Sequence, residues 1–270
     1  MFTPEWNSLF FNTIQKEIRS RTLLVMFVIT ILIMFFVNAG LDLIIENFEG
    51  KNVIDLTSQK VVVFYFIISS WTVLLSVLFG IDCIKSDIEG QVIPLLLSGP
   101  IARWQFLVAR LSGAFLIVFS YYVISFTMAI IFFKISGNPL APISNMLAAL
   151  GATGVVILGV ITLAAFISIF SNKLVAFIIS MIAYLVMATA NTYLAGSGIS
   201  QMFQNFGLFK GISLVFYWLL PHLGLWNSMS TNLIMGKEIE LSLFPELLHF
   251  GVSFTLLFAV FALAFKKQEF

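Results

Sequence analysis

The sequence predicts an all-α membrane protein with six spanning helices. Of its 270 residues, 60% are hydrophobic and only 10% are charged, and the mean hydropathy is +1.05. Soluble domains carry about 25% charged residues, and a soluble chain of this length could not remove so much apolar surface from water. An unusually apolar soluble protein is therefore the weaker interpretation of this composition.

Six apolar runs are long enough to cross a bilayer, which requires about 20 helical residues. They occupy roughly 23–41, 61–81, 111–133, 146–170, 174–194 and 247–265. Helices satisfy their backbone hydrogen bonds within one segment. A closed barrel would need a two-residue alternation of polar and apolar residues, which these runs lack. We therefore expect one transmembrane domain over residues 1–270.

Basic residues set the predicted orientation. With a cytosolic N-terminus, nine of the 14 lysines and arginines fall on the cytosolic side, including all four arginines. Five lysines fall outside. Because short cytosolic loops are enriched in basic residues, both termini are predicted to be cytosolic. The net charge of +1 gives no reason to expect a nucleic-acid partner.

The N-terminal segment is predicted to form an amphipathic helix lying along the inner membrane surface. Residues 3–5 (Thr-Pro-Glu) are typical of a helix start. Asn12 and Lys16 fall away from the apolar stripe and are expected to face water. The apolar stripe of this helix has one residue in every four. It consists of the predicted interfacial anchors Trp6, Phe10, Ile14 and Ile18.

Charge and helix-breaking residues are concentrated between the second and third spans, in residues 82–113. Ser86 and Glu89 have the spacing of a capping box, which predicts a helix start at Ser86. Because proline is tolerated in a first turn, Pro94 indicates that the helix either starts nearer Gln91 or kinks at Pro94. The Gly-Pro pair at 99–100 is typical of a helix end, so a short helix is expected over about residues 86–98. Its predicted apolar face consists of Ile88, Val92, Leu95 and Leu96.

Arg103 and Trp104 follow this loop where the chain re-enters the membrane. Both side chains are favoured at a membrane surface, so Trp104 is a further predicted anchor. An ordinary interfacial helix of a multispan protein, with no partner, remains the alternative interpretation of the loop.

The segment before the sixth span is long and contains a second apolar stretch. Residues 208–220 are aromatic and apolar, too short to span a bilayer, and followed by Pro221. This pattern predicts a re-entrant or interfacial helix. The chain beyond it, near residue 230, is expected to lie outside the membrane, and His222 is expected to be a surface residue.

The sequence contains no evident catalytic or metal site. Two histidines without a shared motif do not predict a metal centre, and no phosphate-binding loop is present. Thr153 and His249 lie on separate spans and could form a nucleophile and a base. Nothing in the sequence orients the histidine, so an intramembrane protease is a weak alternative.

The loop after the second span follows a recognisable order of residues. An acid and a glycine precede a leucine run, a Gly-Pro pair and an arginine. These residues are Glu89, Gly90, Leu95, Leu96, Leu97, Ser98, Gly99, Pro100, Arg103, Trp104, Leu107, Arg110 and Gly113. The pattern resembles the signature of type-2 ATP-binding-cassette (ABC) transporter permeases. The six-span layout and the N-terminal amphipathic segment are also similar, so the resemblance covers nearly the whole chain.

The resemblance implies a mechanical role in the inner membrane of a prokaryote. Two permeases would pair, as a homodimer or a heterodimer, and each would bind an ABC ATPase subunit that carries the ATP and Mg²⁺, so that this chain itself binds no cofactor. The loop helix would dock in a groove of the ATPase. The implied coupling residues are Asp87, Ile88, Glu89, Gly90, Val92, Leu95, Leu96, Leu97, Gly99, Pro100 and Arg103.

Two other functions compete with an exporter permease. A secondary carrier usually keeps a charged or readily titratable group near mid-membrane, and none of the six apolar runs has an Asp, Glu, Lys, Arg or His at its centre. A membrane assembly or force-transmitting protein without cargo would share the fold, because fold does not fix function. The substrate cannot be named from these residues.

Overall fold

The all-α prediction is confirmed. The structure, a computed structural model, describes residues 4–19, 21–48, 56–94, 102–135, 141–194, 207–237 and 243–268, and within these ranges it contains nine helices and no strand. The helices are α1 (Pro4–Arg19), α2 (Thr22–Phe48), α3 (Leu56–Glu89), α4 (Arg103–Ile135), α5 (Ile143–Ser168), α6 (Lys173–Leu194), α7 (Leu208–Leu219), α8 (Leu223–Ile234) and α9 (Leu243–Lys267).

Six of these helices are long and apolar enough to cross a membrane, as predicted. They are α2, α3, α4, α5, α6 and α9. Helix α5 is the most buried of the six, and α3 makes its most extensive contact with it. Helices α2 and α9 lie at the periphery, where most of their apolar side chains are exposed. The core is therefore built around α3 and α5, with α4, α6 and α8 packed beside them.

Helices α3 and α4 extend well beyond the apolar runs predicted for spans two and three. They have 34 and 33 residues, or about 50 Å at 1.5 Å per residue, whereas a hydrocarbon core is about 30 Å thick. Helix α3 continues to Glu89, so the residues predicted to open a separate helix at Ser86 form its last turn. The apolar run of α3 ends at its first charged side chains. The helix continues past them because those side chains pair with side chains of neighbouring helices.

The contact between α3 and α5 depends on a missing side chain at Gly80. A Cβ atom at this position would lie 2.7 Å from the backbone oxygen of Ile161 and 3.0 Å from the Cβ of Ala164. Small residues let helix backbones approach closely in lipid. The approach of the two core helices is therefore set by glycine.

We expect Gly80→Ala to lower the thermal stability of the detergent-solubilised protein. The added methyl group meets helix backbone, which cannot move aside cheaply. Gly251→Ala is the matched control, because nothing lies within 4 Å of a Cβ there, and alanine for glycine inside a helix stabilises by about 0.5–1 kcal/mol. Opposite signs are expected from the two changes. A Gly80→Ala protein as stable as Gly251→Ala would show that the helices are not this close.

The segment before the last span contains two helices, which are separated by a break at Pro221 and which both pack on α6. Helix α7 confirms the predicted short apolar helix, and it ends just before Pro221. Helix α8 was not predicted. It begins at Leu223, which packs on Gly159 just past the midpoint of α5. A Cβ atom added at Gly159 would lie 2.5 Å from a Leu223 methyl carbon. Further along, the Ser230 hydroxyl donates to the backbone oxygen of Ala149 at 2.9 Å. Helix α8 therefore runs antiparallel to α5 inside the bundle.

The chain near residue 230, assigned from the sequence to the outer segment between spans five and six, is buried in the helical bundle. Ser230 is fully buried, and its hydroxyl lies 3.0 Å from that of Thr153. Thr153 in turn lies 3.1 Å from the Tyr122 hydroxyl and 3.2 Å from that of Tyr65. These hydroxyls satisfy one another, and this is why a polar segment can be buried among apolar helices. Thr153 belongs to this cluster, whereas His249 belongs to another.

His222 is also buried, contrary to the expected surface position. It is 4% exposed, and Nδ1 lies 2.8 Å from the Glu246 carboxylate while Nε2 lies 2.7 Å from the backbone oxygen of Tyr217. Its ring stacks on His249 with 3.8 Å between centroids. The break at Pro221 places His222 against Glu246 and His249 of α9, and these contacts enclose the histidine.

Candidate functional site at the foot of the bundle

The C-terminal end of α3 and the start of α4 lie at one end of the bundle, together with α1 and the C-terminal end of α9. We call this end the foot and define it by residues 4–19, 82–94, 102–113 and 262–268. Hydrogen bonds and ion pairs connect all four segments. The foot contains six of the residues predicted to couple the chain to an ATPase, namely Asp87, Ile88, Glu89, Gly90, Val92 and Arg103.

A buried ion pair forms the centre of the foot. Nη2 of Arg110 lies 2.6 Å from Oδ2 of Asp87, and the two side chains are 3% and 9% exposed. Nη1 of Arg110 donates to the Thr13 hydroxyl at 2.8 Å. The guanidinium carbon lies 5.6 Å from the centroid of the Phe106 ring. One arginine on α4 therefore connects α3 and α1, and Thr13 is a partner that the apolar pattern did not reveal.

Helix α1 packs closely on α4 where Thr13 of α1 faces Gly113 of α4. Leu9 and Thr13 are buried, and a Cβ atom at Gly113 would lie 2.8 Å from that of Thr13. Of the predicted anchors, Trp6 and Phe10 are half-buried and stack with 5.5 Å between centroids. The remaining two anchors are Ile14, which is half-buried, and Ile18, which is 62% exposed. The glycine at 113 was a signal for this close contact.

The sequence predicts that Lys16 faces water, but in the structure its side chain contacts α3. Its ammonium group donates to the hydroxyl of Ser86 on α3. Ser86 in turn donates to the backbone oxygen of Asp82 at 2.6 Å, a bond that serine commonly makes inside a helix. The capping-box prediction is therefore wrong, because Ser86 lies within α3 instead of starting a helix.

Lys173, at the start of α6, connects the foot to a further helix. Its ammonium lies 2.7 Å from Asp82 and 3.4 Å from Glu89. These side chains are 44–48% exposed, so each pair contributes little to stability. Glu89, predicted to contact a partner, thus already has a cation of its own chain nearby.

Helix α3 ends in a tight turn before the loop. Gln91 adopts a left-handed backbone conformation with φ of 52°, and the N–H of Val92 donates to the carbonyl of Asp87 at 3.1 Å. Left-handed residues commonly end helices in this way. Ile93 is fully buried, whereas Val92 is 38% exposed.

The predicted coupling residues fall on both sides of this turn. Asp87, Ile88 and Glu89 belong to α3, and Gly90 and Val92 to the turn. Helical conformation resumes at residues 93–94. The predicted apolar plug and helix end, at Leu95, Leu96, Leu97, Gly99 and Pro100, lie outside the described residues.

Arg103 and Trp104 begin α4 beside the end of α9. Nη1 of Arg103 donates to the backbone oxygen of Lys266 at 2.7 Å. The Phe106 and Phe265 rings stack below it with 5.8 Å between centroids. Trp104 is 50% exposed, in keeping with its predicted position as an anchor. The last span is therefore fastened to the first turn of the span that follows the loop.

The chain was compared with known protein families and with curated proteins. The family model described as ABC-2 family transporter protein matches residues 9–269. No curated protein matches the chain. The family match covers nearly all of the residues whose geometry is described above.

Proposed function

We propose a function that proceeds from one fact: this chain belongs to the ABC-2 transporter family. It is therefore the membrane component of an ABC transporter, and ATP hydrolysis in such a transporter belongs to a separate subunit. We propose further that it is an exporter permease. Two copies would assemble with two ATPase subunits, which bind the ATP and Mg²⁺.

The buried pair between Asp87 and Arg110 carries this proposal. A buried ion pair is strongly destabilised when one partner is removed, so α3 and α4 keep a fixed relation at this level. Arg110 also holds Thr13, which brings α1 into the same unit. A push on the chain between residues 90 and 102 would therefore move three helices together.

The loop itself supplies the surface for the ATPase. We propose that a groove of the ATPase buries Leu95 and Leu96, the leucines of the predicted apolar face, and fully burying one leucine side chain stabilises by about 1.5–3 kcal/mol. Glu89 lies at the rim, where an exposed acid can pair with a basic residue of the partner. Its pairing with Lys173 is weak enough to be exchanged for such a contact.

The outer faces of α2 and α9 are proposed to contact lipid or the second permease copy. Both helices expose large apolar side chains, including Phe35 and Phe36 on α2 and Leu256 and Leu263 on α9. Hydrocarbon or another apolar helix surface can cover such a face, whereas water cannot do so favourably.

Co-expression of the chain with an ABC ATPase subunit, taken from the neighbouring gene if that gene encodes one, tests the function. An exporter permease is expected to retain the ATPase through purification and to support ATP-dependent transport in reconstituted vesicles. A secondary carrier would transport without the ATPase. A force-transmitting assembly protein would bind the ATPase and stimulate its hydrolysis without moving cargo.

We expect both termini to be cytosolic in the inner membrane of a prokaryote. Reporter fusions after residues 50, 140 and 237 should therefore report the outer side, and a fusion after residue 270 the cytosol. Lys237 replaces the region near residue 230 for this purpose, because Ser230 is buried whereas Lys237 is exposed. A cytosolic signal after residue 50 or 140 would contradict the six-span orientation.

A further inference from the structure

A groove lies between the start of α4 and the end of α9. It has a volume of about 550 Å³ and is lined by Arg103, Trp104, Ala262, Leu263 and Lys266. Two of these residues are cationic, and the other three are apolar or aromatic. The groove thus has two chemically different walls at one end of a membrane-spanning helix.

The cationic wall is available to an external anion. Arg103 already covers the negative end of the α9 dipole, because its Nη1 donates to the backbone oxygen of Lys266. The Lys266 side chain is exposed, and no acidic side chain of the described residues pairs with Lys266 or Arg103. The positive end of the α4 dipole adds to the same potential.

The apolar wall faces outward next to these cations. Leu263 is 62% exposed and Trp104 is 50% exposed. Leu263 lies one helical turn before Lys266 on α9, on the side that points into the membrane. A molecule that fills this groove would therefore place an anion at the basic residues and a hydrocarbon chain along Leu263 and Trp104.

We propose that this groove binds one anionic phospholipid. Basic pockets between membrane helices bind anionic head groups, and tryptophan is favoured at the level of the head groups. The phosphate would lie between Arg103 and Lys266, and an acyl chain would lie against Leu263. Because Arg103 directly follows the loop to the ATPase, the lipid would hold α4 to α9 at the point where force enters. Binding of the lipid does not depend on the cargo or on the ATPase, whereas its effect on force transmission rests on the proposed function.

Native mass spectrometry of the full chain in detergent, with phosphatidylglycerol and phosphatidylcholine added in turn, measures this binding. We expect preferential retention of phosphatidylglycerol. Lys266→Gln should weaken its binding about fivefold and Lys266→Glu about thirtyfold, because one basic residue near an anionic lipid surface contributes about 1 kcal/mol. Phosphatidylcholine retention should change little.

Lys267→Glu is the matched control. Lys267 adjoins Lys266 in the same last helical turn and is exposed, but it does not line the groove. It should weaken phosphatidylglycerol binding much less than Lys266→Glu. Equal effects from the two charge reversals would mean diffuse attraction to the basic end of the helix, and the site would be rejected.

Two further measurements separate a lipid from other occupants. Glycerol 3-phosphate should fail to displace phosphatidylglycerol, because it has no acyl chain to lie along Leu263. Displacement by this soluble anion would overturn the lipid assignment in favour of a free phosphate site. Unchanged phosphatidylglycerol binding in Lys266→Glu, together with loss of ATPase co-purification, would instead assign the groove to the protein partner.

Discussion

Replacing Asp87 with asparagine is expected to destabilise the protein by about 3–5 kcal/mol, because the change leaves Arg110 buried and charged without its partner. Arginine cannot shed its proton in a protein, and its side chain here is only 3% exposed. Thr13 can accept one of its hydrogen bonds, but a neutral hydroxyl does not compensate a buried charge. Thermal unfolding of the purified chain in detergent measures the loss.

The double variant Asp87→Leu, Arg110→Met distinguishes stability from coupling. Replacing both members of a buried pair by apolar residues is often neutral or stabilising, so this variant should regain most of the unfolding temperature. The connection from α4 to Thr13 on α1 is lost in it. ATP-dependent transport should therefore fall well below wild type even though the fold is restored.

Lys173→Gln provides the control at the same foot. It breaks ion pairs to Asp82 and Glu89, whose side chains are 44% and 48% exposed, and exposed pairs contribute about 0–1 kcal/mol. Its unfolding temperature should stay close to wild type. If Asp87→Asn were no more destabilising than Lys173→Gln, the ion pair would not be the structural centre of the foot.

Introducing aspartate at both Leu95 and Leu96 is expected to abolish co-purification of the ATPase. Each leucine is proposed to contribute about 1.5–3 kcal/mol when buried in the partner's groove, and a charge in the same groove adds a desolvation cost. Both residues lie outside every apolar run long enough to span, so the amount of chain in the membrane should be unchanged. Affinity purification with an immunoblot for the ATPase provides the measurement.

A second pair of changes shows whether position or charge matters. Leu208→Asp with Leu243→Asp introduces the same two aspartates at exposed leucines that begin α7 and α9, and the ATPase should remain bound. Glu89→Arg should reduce transport more than assembly, because one rim charge contributes less than the apolar plug. If the Leu95 and Leu96 change leaves ATPase binding and transport intact but lowers membrane insertion, the loop is an interfacial helix and the docking role fails.

Apolar run length and the order of residues in the loop were sufficient for the general architecture. They predicted the six spans, the short helix ending before Pro221 and the helical N-terminal segment. This was possible because only helices and closed barrels satisfy the backbone hydrogen bonds in hydrocarbon, and the two differ in their sequence pattern. The pattern from Glu89 to Gly113 also indicated the family. None of these inferences needed to know which helix lies beside which.

Helix neighbours, and hence the state of each polar group, were decided only by the tertiary structure. Ser230 was assigned to an outer segment because it lies between two predicted spans, yet its hydroxyl is buried and contacts that of Thr153 from another span. Lys16 was assigned to water, but Ser86 lies within reach on α3. Arg110 can be buried at the centre of the foot only because Asp87 and Thr13 lie within hydrogen-bonding distance of it. Without them it would be a solvated cation. A one-dimensional pattern records that a group is polar, whereas its partner, which determines whether burial is tolerated, comes from elsewhere in the chain.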